Sequence, residues 1–495
     1  MKRLLPLLLC AAALAAPAFA QQRDTTQSDS TEFQRRVRDE VERVLKSLGL
    51  NTTRDTTRDD DSVRPQPATP RDSARHHAGD SASRGFRLMI GDRVTEPKPF
   101  YEWQPFNWFR YNRVDGLFLG VGSSSPQTIN MSHLNDFTVR NDSFEPDAMR
   151  TTLGVGYAFG SHFWTGEAGL SWLHRFDNGK HLPLAFELGA EGHVRTDTRD
   201  AWLVDLGENT ASALIAHEDF MDYFKRKGWS AKGSFYVGHE QLSAEYRHDE
   251  YDQLDTRQYW SLFGGRKLFR ENDETLEPSQ FPGVMPTMVL TSFFDNVRTN
   301  RLFRGWSLLA QAEYGVGQYQ FNRYLVDLRR YQPLAKWTAI NVRLRAGAVQ
   351  GESVPVSLAT GPDSTTWRGF RTPVTEYFEI GGISTLPAFD YKQFVGNRMM
   401  LVNAEWAITG RALDELFFFP FDDLTVMLLA DAGLAYFVDD TIGVTSGWSQ
   451  LSLRNLKSDV GFAVGSANGQ FRVGWVWRTD QSEGGKFFIR LTRPF

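Results

Sequence analysis

The feature that most constrains the fold is an alternation of apolar and polar residues with a period of two, repeated from Val114 to the end of the chain. "LAFELGAEGHV" (184–194) places Glu187 and Glu191 opposite an apolar row, and "AINVRLRAGAV" (339–349) does the same with Arg343 and Arg345. Successive side chains of a β-strand point to opposite faces. About a dozen such segments, each roughly ten residues long, therefore predict an extended antiparallel sheet.

The apolar face of these segments continues along the whole chain, with no second sheet or set of helices evident to cover it. A soluble β-sandwich with one wet face is the alternative. In lipid, closed strands satisfy every backbone polar group, and their apolar face can contact acyl chains. Tryptophans such as Trp164, Trp229 and Trp406 lie near segment ends, as interfacial girdles require. The pattern favours an all-β fold, a transmembrane antiparallel β-barrel.

Sixteen segments qualify as strands, and bacterial barrels normally have an even number. They begin near Val114, Thr151, Phe163, Leu182, Trp229, Gln241, Met288, Phe303, Phe321, Trp337, Thr375, Arg398, Leu424, Lys457, Gln470 and Lys486. This arrangement places two long inserts, 196–228 and 251–287, at the end of the barrel that carries the termini, where turns are usually short. Either the early strand count is wrong by one, or the inserts form a structure there. The first insert contains "ENTASALIAHEDFMDYFKRKG", which predicts a helix.

The N-terminal region is predicted to have a different organisation from the barrel. Residues 1–20 have the basic, apolar and small-residue parts of a secretory signal peptide, which for a barrel indicates the outer membrane of a Gram-negative (diderm) bacterium. Residues 21–85 form a polar tether too poor in apolar residues to fold. Within the tether, 31–49 predicts a short amphipathic helix, either a docking segment for a periplasmic partner or a frayed helix in solvent. A lead-in segment, 86–112, precedes the barrel at 113–495.

Several function classes are disfavoured by the composition. A net charge of −5 argues against nucleic-acid binding through a basic surface. The cysteine, Cys10, lies in the signal peptide, so a cysteine metal site or disulfide is not expected in the mature chain. His217, Glu218 and Asp219 are adjacent, and adjacent residues on a helix point in different directions, so a metal site is not predicted there. We expect no cofactor.

An enzymatic activity is also not expected. His174, His193 and His248 lie near strand ends beside Ser and Asp, but no Gly-x-Ser-x-Gly elbow accompanies them. A nucleophile positioned against a base is what covalent catalysis requires. We therefore predict that the chain is not an enzyme.

Three segments carry a resemblance to a known family. "YNRVDGLFLGVG" (111–122) resembles the first barrel strand of the bacterial surface antigen family, the BamA/TamA superfamily. "FEIGGISTLPAFDYKQFVGNRMMLVNAEW" (378–406) resembles the segment that runs through that family's sixth extracellular loop, and "LADAGLAYF" (429–437) resembles the next strand. The resemblance covers about residues 100–495. It implies a loop-six motif made of Gly381, Gly382, Leu386 and Phe389. It also implies that the terminal aromatic, Phe495, is the signal recognised by the barrel-assembly machinery during insertion.

The chain departs from the family in two places. The family's Arg-Gly-aromatic triplet is replaced by Pro387, Ala388 and Phe389. Glu405 and Asp431 stand where the family has lumenal acids that contact that Arg. Because a buried carboxylate needs a cation, we expect them to pair with lumenal arginines, for which the candidates are Arg343, Arg345 and Arg398. The periplasmic POTRA modules of insertase members have no counterpart in the short tether.

Two functions follow from these observations. The resemblance implies an integral outer-membrane barrel that contacts outer-membrane lipid, with a role in outer-membrane protein biogenesis or transport. Such a role would depend on separation of the first and last strands, near Val114 and Lys486, so that a client strand can pair there. The alternative is a passive solute channel or receptor, in which rings of lumenal charge select the solute. Those rings are predicted to contain Glu187, Glu191, Arg343 and Arg345.

Overall fold

The computed structural model describes most of the chain between residues 109 and 491. The gaps within that span are 123–126, 131–146, 177–183, 266, 273–282, 300–301, 317–318, 352, 358–365, 371–373, 411, 413–423, 440–441, 453, 467–470 and 482–483. The predicted signal peptide, the tether with its 31–49 helix, the lead-in up to residue 108 and Phe495 lie outside the described residues.

The described chain is built from β-strands and helix α1 (Leu206–Ala216). In chain order the strands are β1 (Phe109–Asn112), β2 (Gly116–Gly122), β3 (Gln127–Asn130), β4 (Asp147–Ala158), β5 (Phe163–Phe176), β6 (Leu184–Asp197), β7 (Phe224–Val237), β8 (Glu240–Gln253), β9 (Gly283–Asp295), β10 (Arg298–Thr299), β11 (Phe303–Gly315), β12 (Phe321–Ala335), β13 (Thr338–Gly351), β14 (Ser353–Ser357), β15 (Thr366–Phe370), β16 (Phe378–Ile380), β17 (Phe394–Gly396), β18 (Arg398–Thr409), β19 (Leu424–Tyr436), β20 (Lys457–Ser466), β21 (Arg472–Arg478) and β22 (Lys486–Arg490). A short 3-10 turn covers Val374–Glu376.

Sixteen of these strands form one antiparallel meander, in which each strand is hydrogen-bonded to the next. The members are β1, β2, β4 to β9, β11 to β13 and β18 to β22. The short strands β3 and β10 pair beside β4 and β11, and two hairpins, β14–β15 and β16–β17, lie in the connection between β13 and β18. The predicted all-β antiparallel fold with about sixteen strands is confirmed.

The two faces of the meander have opposite chemistry. On β13, Arg343 and Arg345 are buried, whereas Ile340 and Leu344 between and beside them are exposed. The same arrangement recurs around the sheet: charged side chains lie on the enclosed face and large apolar ones on the open face. The exposed apolar residues include Leu153, Trp164, Leu188, Trp229, Leu242, Leu290, Val326, Trp406, Leu428 and Val460. A soluble protein places these groups the other way round, whereas a membrane barrel requires this arrangement.

The predicted strands contain two errors, which cancel in the count. The strand predicted from Val114 is β2, which begins at Gly116, and β1 before it was not predicted; Val114 lies in the turn between them. The strand predicted from Thr375 does not belong to the wall, because Thr375 lies in the 3-10 turn ahead of the β16–β17 hairpin. An apolar alternation of a few residues does not distinguish a wall strand from a turn or a small hairpin.

The additional early strand moves the two long inserts to the other rim. Counting from β1, the connections that follow β6, β8 and β13 all leave the sheet at one end, which we name the long-loop rim. The turns at 238–239 and 336–337, each two residues long, lie at the opposite end. The first of the two explanations offered above, an early count wrong by one strand, is therefore the correct one.

Helix α1 is shorter than the sequence predicted. The side chain of Asp205 caps its start by accepting a hydrogen bond of 2.7 Å from the amide of Gly207. His217, with a φ of 58°, ends it in the left-handed conformation. Phe220 therefore lies beyond the helix, and Phe224 begins β7. Among the described residues, no helix has the length and apolar character needed to cross a membrane.

Candidate functional site

The interior of the sheet is occupied by residues 374–397, which we name the lumen loop. Its turn depends on two glycines with positive φ, Gly381 at 125° and Gly382 at 80°. A Cβ on Gly381 would lie 2.3 Å from the carbonyl oxygen of Asp390, so another residue is excluded there. The amide of Gly382 donates to the carbonyl of Leu386 at 3.0 Å. The two glycines of the predicted loop-six motif thus set the turn that brings Leu386 inward.

Leu386 and Phe389, the apolar members of the motif, are 0% and 2% exposed. They form one cluster with inward-facing wall residues of β11, β12, β13, β18, β19 and β21. Those wall residues are Leu309, Leu325, Val349, Met399, Leu401, Ala435 and Val476. Strands that are far apart in the meander therefore contact the same loop, which means that the sheet curls around it.

The acids near the missing loop arginine have other partners than we predicted. Glu405 pairs with Arg472 of β21 and accepts a hydrogen bond of 2.9 Å from Asn341. Asp431 accepts one of 2.7 Å from Asn403. The expected partners Arg343, Arg345 and Arg398 were wrong for both acids. For Glu405 the cation is Arg472 of the wall, whereas Asp431 is bonded to the neutral amide of Asn403.

The position of the family triplet is held through backbone and aromatic contacts. The amide of Ala388 donates to Asp459 at 3.0 Å, and the guanidinium of Arg478 lies 4.5 Å from the centre of the Phe389 ring. Pro387 carries no charge, and the neighbouring amide contacts the wall carboxylate. The loop therefore has a neutral attachment at the point where the resemblance implies a charged one.

The three arginines named from the sequence are all engaged elsewhere. Arg343 and Arg345 bind Asp327 with nitrogen–oxygen distances of 2.5 and 2.7 Å. The ring of Trp202 covers both guanidinium groups at 4.9 and 3.8 Å. Arg398 donates to backbone carbonyls of five residues, Val349, Asn397, Ile442, Gly443 and Ser446. Arg343 and Arg345 therefore form part of a packed interior and not an open ring of charge.

Glu187 and Glu191 also face the interior. Glu187 contacts Arg150 at 3.2 Å and accepts hydrogen bonds from Tyr236, at 2.7 Å, and from Ser171. Glu191 lies 3.4 Å from Arg195 and 3.3 Å from His193. Together with basic residues of β7 and β8 they line a polar cavity on the side of the wall formed by β4 to β8. Charges of both signs line this cavity.

A largely buried ionic cluster joins the lumen loop to the first insert, residues 198–223. The ammonium of Lys392 lies 3.0 Å from Asp200, 2.7 Å from Asp222 and 2.5 Å from Glu379. Burial alone would lower the pKa of Lys392, but the three carboxylates raise it well above its ordinary value. Burial raises the pKa of Glu379 to about 7, and the nearby aspartates add to the rise while Lys392 opposes it. The carboxyl of Glu379 therefore binds its proton more tightly than a solvated glutamate does.

Arg113, in the β1–β2 turn, extends this cluster to the start of the wall. It is fully buried, with its amide 2.9 Å from a carboxylate oxygen of Asp219 and its guanidinium 3.3 Å from the other. The same guanidinium pairs with Asp222. We did not predict these residues as a site. The only signal was the repetition of acids beside aromatics in "HEDFMDY", which does not reveal a partner so distant in sequence.

The two edge strands, β1 and β22, meet at helix α1. Within the described ranges no backbone ladder joins β1 to β22. Instead the amide of Tyr111 in β1 donates to the hydroxyl of Thr210 at 3.4 Å. The amide of Leu491 donates to Glu208 at 3.0 Å, and Arg490 pairs with the same carboxylate at 2.9 Å. We name this junction of β1, α1 and β22 the seam. The sheet is a barrel whose edges are bridged by a helix.

The other chemistry considered from the sequence has less structural support. The described residues contain no group of three His, Asp or Glu side chains arranged to hold a metal. His217 stacks on Phe269, with ring centres 3.7 Å apart, while Glu218 pairs with Lys267. His193 is buried 3.2 Å from Asp249 in an ionic network of the wall. The absence of enzymatic activity stays a prediction.

Comparison with known proteins gives similarity in fold. The solved structures similar to this chain include the following two. One is BamA from Haemophilus ducreyi lacking POTRA domains 1–3, with 11% identity over 77% of this chain and 67% of that chain and a TM-score of 0.40. The other is CdiB from Acinetobacter baumannii, with 13% identity over 77% of this chain and 55% of that chain and a TM-score of 0.31. No family model matches the chain, and no curated protein matches it.

Proposed function

We propose that this chain is an integral outer-membrane β-barrel of the BamA/TamA type, in which the seam opens sideways to present its edges to a client β-strand. The observation that carries the proposal is that α1 occupies the place where β1 and β22 would pair. The resemblance of residues 111–122 and 378–406 to that superfamily supports the same role.

The seam suits reversible opening because side chains of α1 close it and, among the described residues, no backbone ladder joins β1 to β22. An unpaired strand edge is a template for another strand, and in lipid its polar groups must be satisfied. Thr210 and Glu208 satisfy one amide on each edge through their side chains. A full ladder between two strands has a bond at every second residue of each strand. A client strand that supplied such a ladder would therefore replace α1 with more hydrogen bonds than it removes.

A passive channel has less support from the interior. The lumen loop packs apolar side chains against the wall on several strands, and the ionic cluster around Lys392 joins that loop to the first insert. Arg343 and Arg345, expected to line a selective ring, are covered by Trp202. Single-channel recording in planar bilayers tests this alternative: steady conductance by the unmodified protein would favour the channel.

Cross-linking of the seam tests the proposed role directly. Glu208→Cys and Arg490→Cys, combined in one chain, place two thiols where the ion pair lies. Cleavage of the predicted signal peptide would remove the natural thiol, Cys10. Cells depleted of the chromosomal copy and carrying this variant are treated with a short bifunctional maleimide. We then measure the amount of folded outer-membrane proteins by their resistance to dissociation in cold detergent.

We expect the doubly substituted chain to support assembly before treatment and to lose that ability afterwards. The chain with Glu208→Cys alone, given the same reagent, controls for modification of a single thiol and should keep the activity that it has before treatment. Normal levels of folded outer-membrane proteins with the seam linked, or after depletion of the wild-type protein, would exclude the proposed role.

A further inference from the structure

Part of the second insert, residues 254–272, covers the C-terminal half of helix α1. The amide of Leu262 donates to the carbonyl of Leu214 at 2.8 Å, and that of Phe263 donates to Ile215 at 3.1 Å. The ring of Phe269 stacks on His217 at the end of the helix. These contacts make 254–272 and α1 one unit at the seam.

This unit contacts the outer face of the barrel. Tyr111 of β1 lies directly opposite Leu117 of β2 in the register, and directly opposite residues share a face. Leu117 and its face neighbours Phe109 and Leu119 are exposed, as on the rest of the apolar wall. The side chain of Tyr111 points to the same face but is only 5% exposed. It is covered by Ala213, Leu214 and Phe269, and by the edge of the Trp260 ring.

The other end of α1 contacts the inner face. Arg490 lies opposite Arg472 in the β21–β22 register, and Arg472 points into the lumen, where it binds Glu405. Glu208, in the first turn of α1, binds Arg490. The 11 residues of the helix span about 16 Å at 1.5 Å per residue. The helix therefore passes through the seam, from the lumen at its first turn to the outer face at its last.

The outer surface of this unit is a large apolar patch. Tyr259, Trp260, Leu262, Phe263 and Leu268 are between 52% and 69% exposed, and we name these five residues the outer patch. Monomeric soluble surfaces seldom expose so many large apolar side chains together. Through Tyr111 the outer patch is continuous with the exposed apolar residues of β1 and β2. Amphipathic Tyr and Trp rings are the residues that settle at the boundary between acyl chains and headgroups.

We infer that the outer patch is a lipid-binding surface, embedded in the bilayer leaflet at the long-loop rim, which holds α1 in the seam from outside. The inference rests on the proposed function, because it requires that the apolar wall contact lipid. Since α1 and the outer patch are joined by backbone hydrogen bonds, withdrawal of α1 from the seam also pulls these five side chains out of the leaflet. Lipid thus stabilises the closed seam.

Spin-label accessibility in liposomes tests this inference. Single cysteines are introduced at Leu262 in the outer patch, at Leu153 on the apolar wall and at Thr445 on an exposed loop of the same rim, in a chain without Cys10. Each cysteine carries a nitroxide label. The label's collision rate with oxygen, which concentrates in the bilayer, is compared with its collision rate with a water-soluble nickel chelate. A label at Leu268 repeats the measurement if Leu262→Cys fails to fold.

We expect the Leu262 label to behave like the Leu153 label, with collisions with oxygen several-fold above those with nickel, and the Thr445 label to show the reverse. If Leu262 follows Thr445 while Leu153 reports lipid, the outer patch is exposed to water and the inference is wrong. Protection of Leu262 from both reagents would mean that protein covers it, which also overturns the inference. If Leu153 itself reports water, the membrane barrel fails, and the proposed function with it.

Discussion

The substitution Glu208→Gln should weaken the seam more than its size suggests. It keeps an oxygen that can accept from the amide of Leu491, but it removes the charge that pairs with Arg490 at 2.9 Å. Both side chains of that pair are at most 4% exposed. Removing one partner of a buried ion pair costs about 3–5 kcal/mol, because the other charge is left uncompensated. Since Arg490 also contacts Ser384 and the carbonyl of Leu203, we expect about 3 kcal/mol, the lower end of that range.

The assay combines stability with local opening. Unfolding by urea in liposomes gives the loss of free energy, and amide hydrogen exchange reports β1 and β22 separately. Glu187→Gln is the matched control, because Glu187 forms a similarly buried pair with Arg150 of β4, several strands away from the seam. We expect both variants to lose stability, but only Glu208→Gln to speed exchange in residues 109–112 and 486–491. Equal exchange at the seam in the two variants, or a loss below about 0.5 kcal/mol for Glu208→Gln, would refute the argument that this pair closes the seam.

Three further changes test the interior. Lys392→Met leaves three carboxylates without their shared cation and should lower the free energy of unfolding by about 3–5 kcal/mol. The control is Lys486→Met, at an exposed pair with Asp390, which should lower it by less than about 1 kcal/mol. Similar losses for the two variants in urea unfolding would contradict the cluster's role. Phe389→Ala should lower the free energy of unfolding by about 3–5 kcal/mol through the cavity it leaves, and the variant should conduct ions in planar bilayers. Unchanged stability and no conductance would show that the lumen loop does not depend on this ring. The pKa of Glu379 is raised to about 7 from an ordinary value of 4.5, so the folded state binds this proton more tightly than the unfolded state does. The free energy of unfolding should therefore fall as pH rises from about 5 to about 7 and then level off. Glu379→Gln should flatten this pH dependence, and an unaltered slope in the variant would assign the dependence to another group.

The wall could be predicted from sequence because its determinants are local. The alternation around Arg343 and Arg345 assigns each residue to a face without knowledge of the neighbouring strand, and both arginines are indeed enclosed. The glycines of the lumen loop were named from the short motif, and both have positive φ values, which favour glycine.

The partners of the inward charges could not be predicted in the same way. Alternation indicates that Glu405 faces the lumen, but the choice between Arg343 and Arg472 depends on register and on which strands lie opposite. In the structure Asp327 lies beside Arg343 and Arg345 on the adjacent strand and binds both. Local pattern identified the charged face correctly and gave no information about the pairs.

Helix α1 was predicted from its sequence, but its position was not. Its first turn pairs with a residue 282 positions away, and no local signal connects the two. The early strand count also mattered, because a single strand from Val114 placed the insert at the wrong rim. The β1–β2 turn, with Arg113 buried in it, is visible only when Asp219 and Asp222 are in place around it.

The passage of α1 between the two edges restricts the order in which the chain can assemble. The helix belongs to a connection near the start of the barrel, yet it can be seated only after the last strand has been made and brought alongside. Contacts so distant in sequence form late. Until then the wall is an open sheet with two unpaired edge strands and an undocked helix. Such an intermediate is prone to pair with a strand of another chain. Biogenesis of this protein should therefore stall at an open ribbon whenever its final strand is truncated.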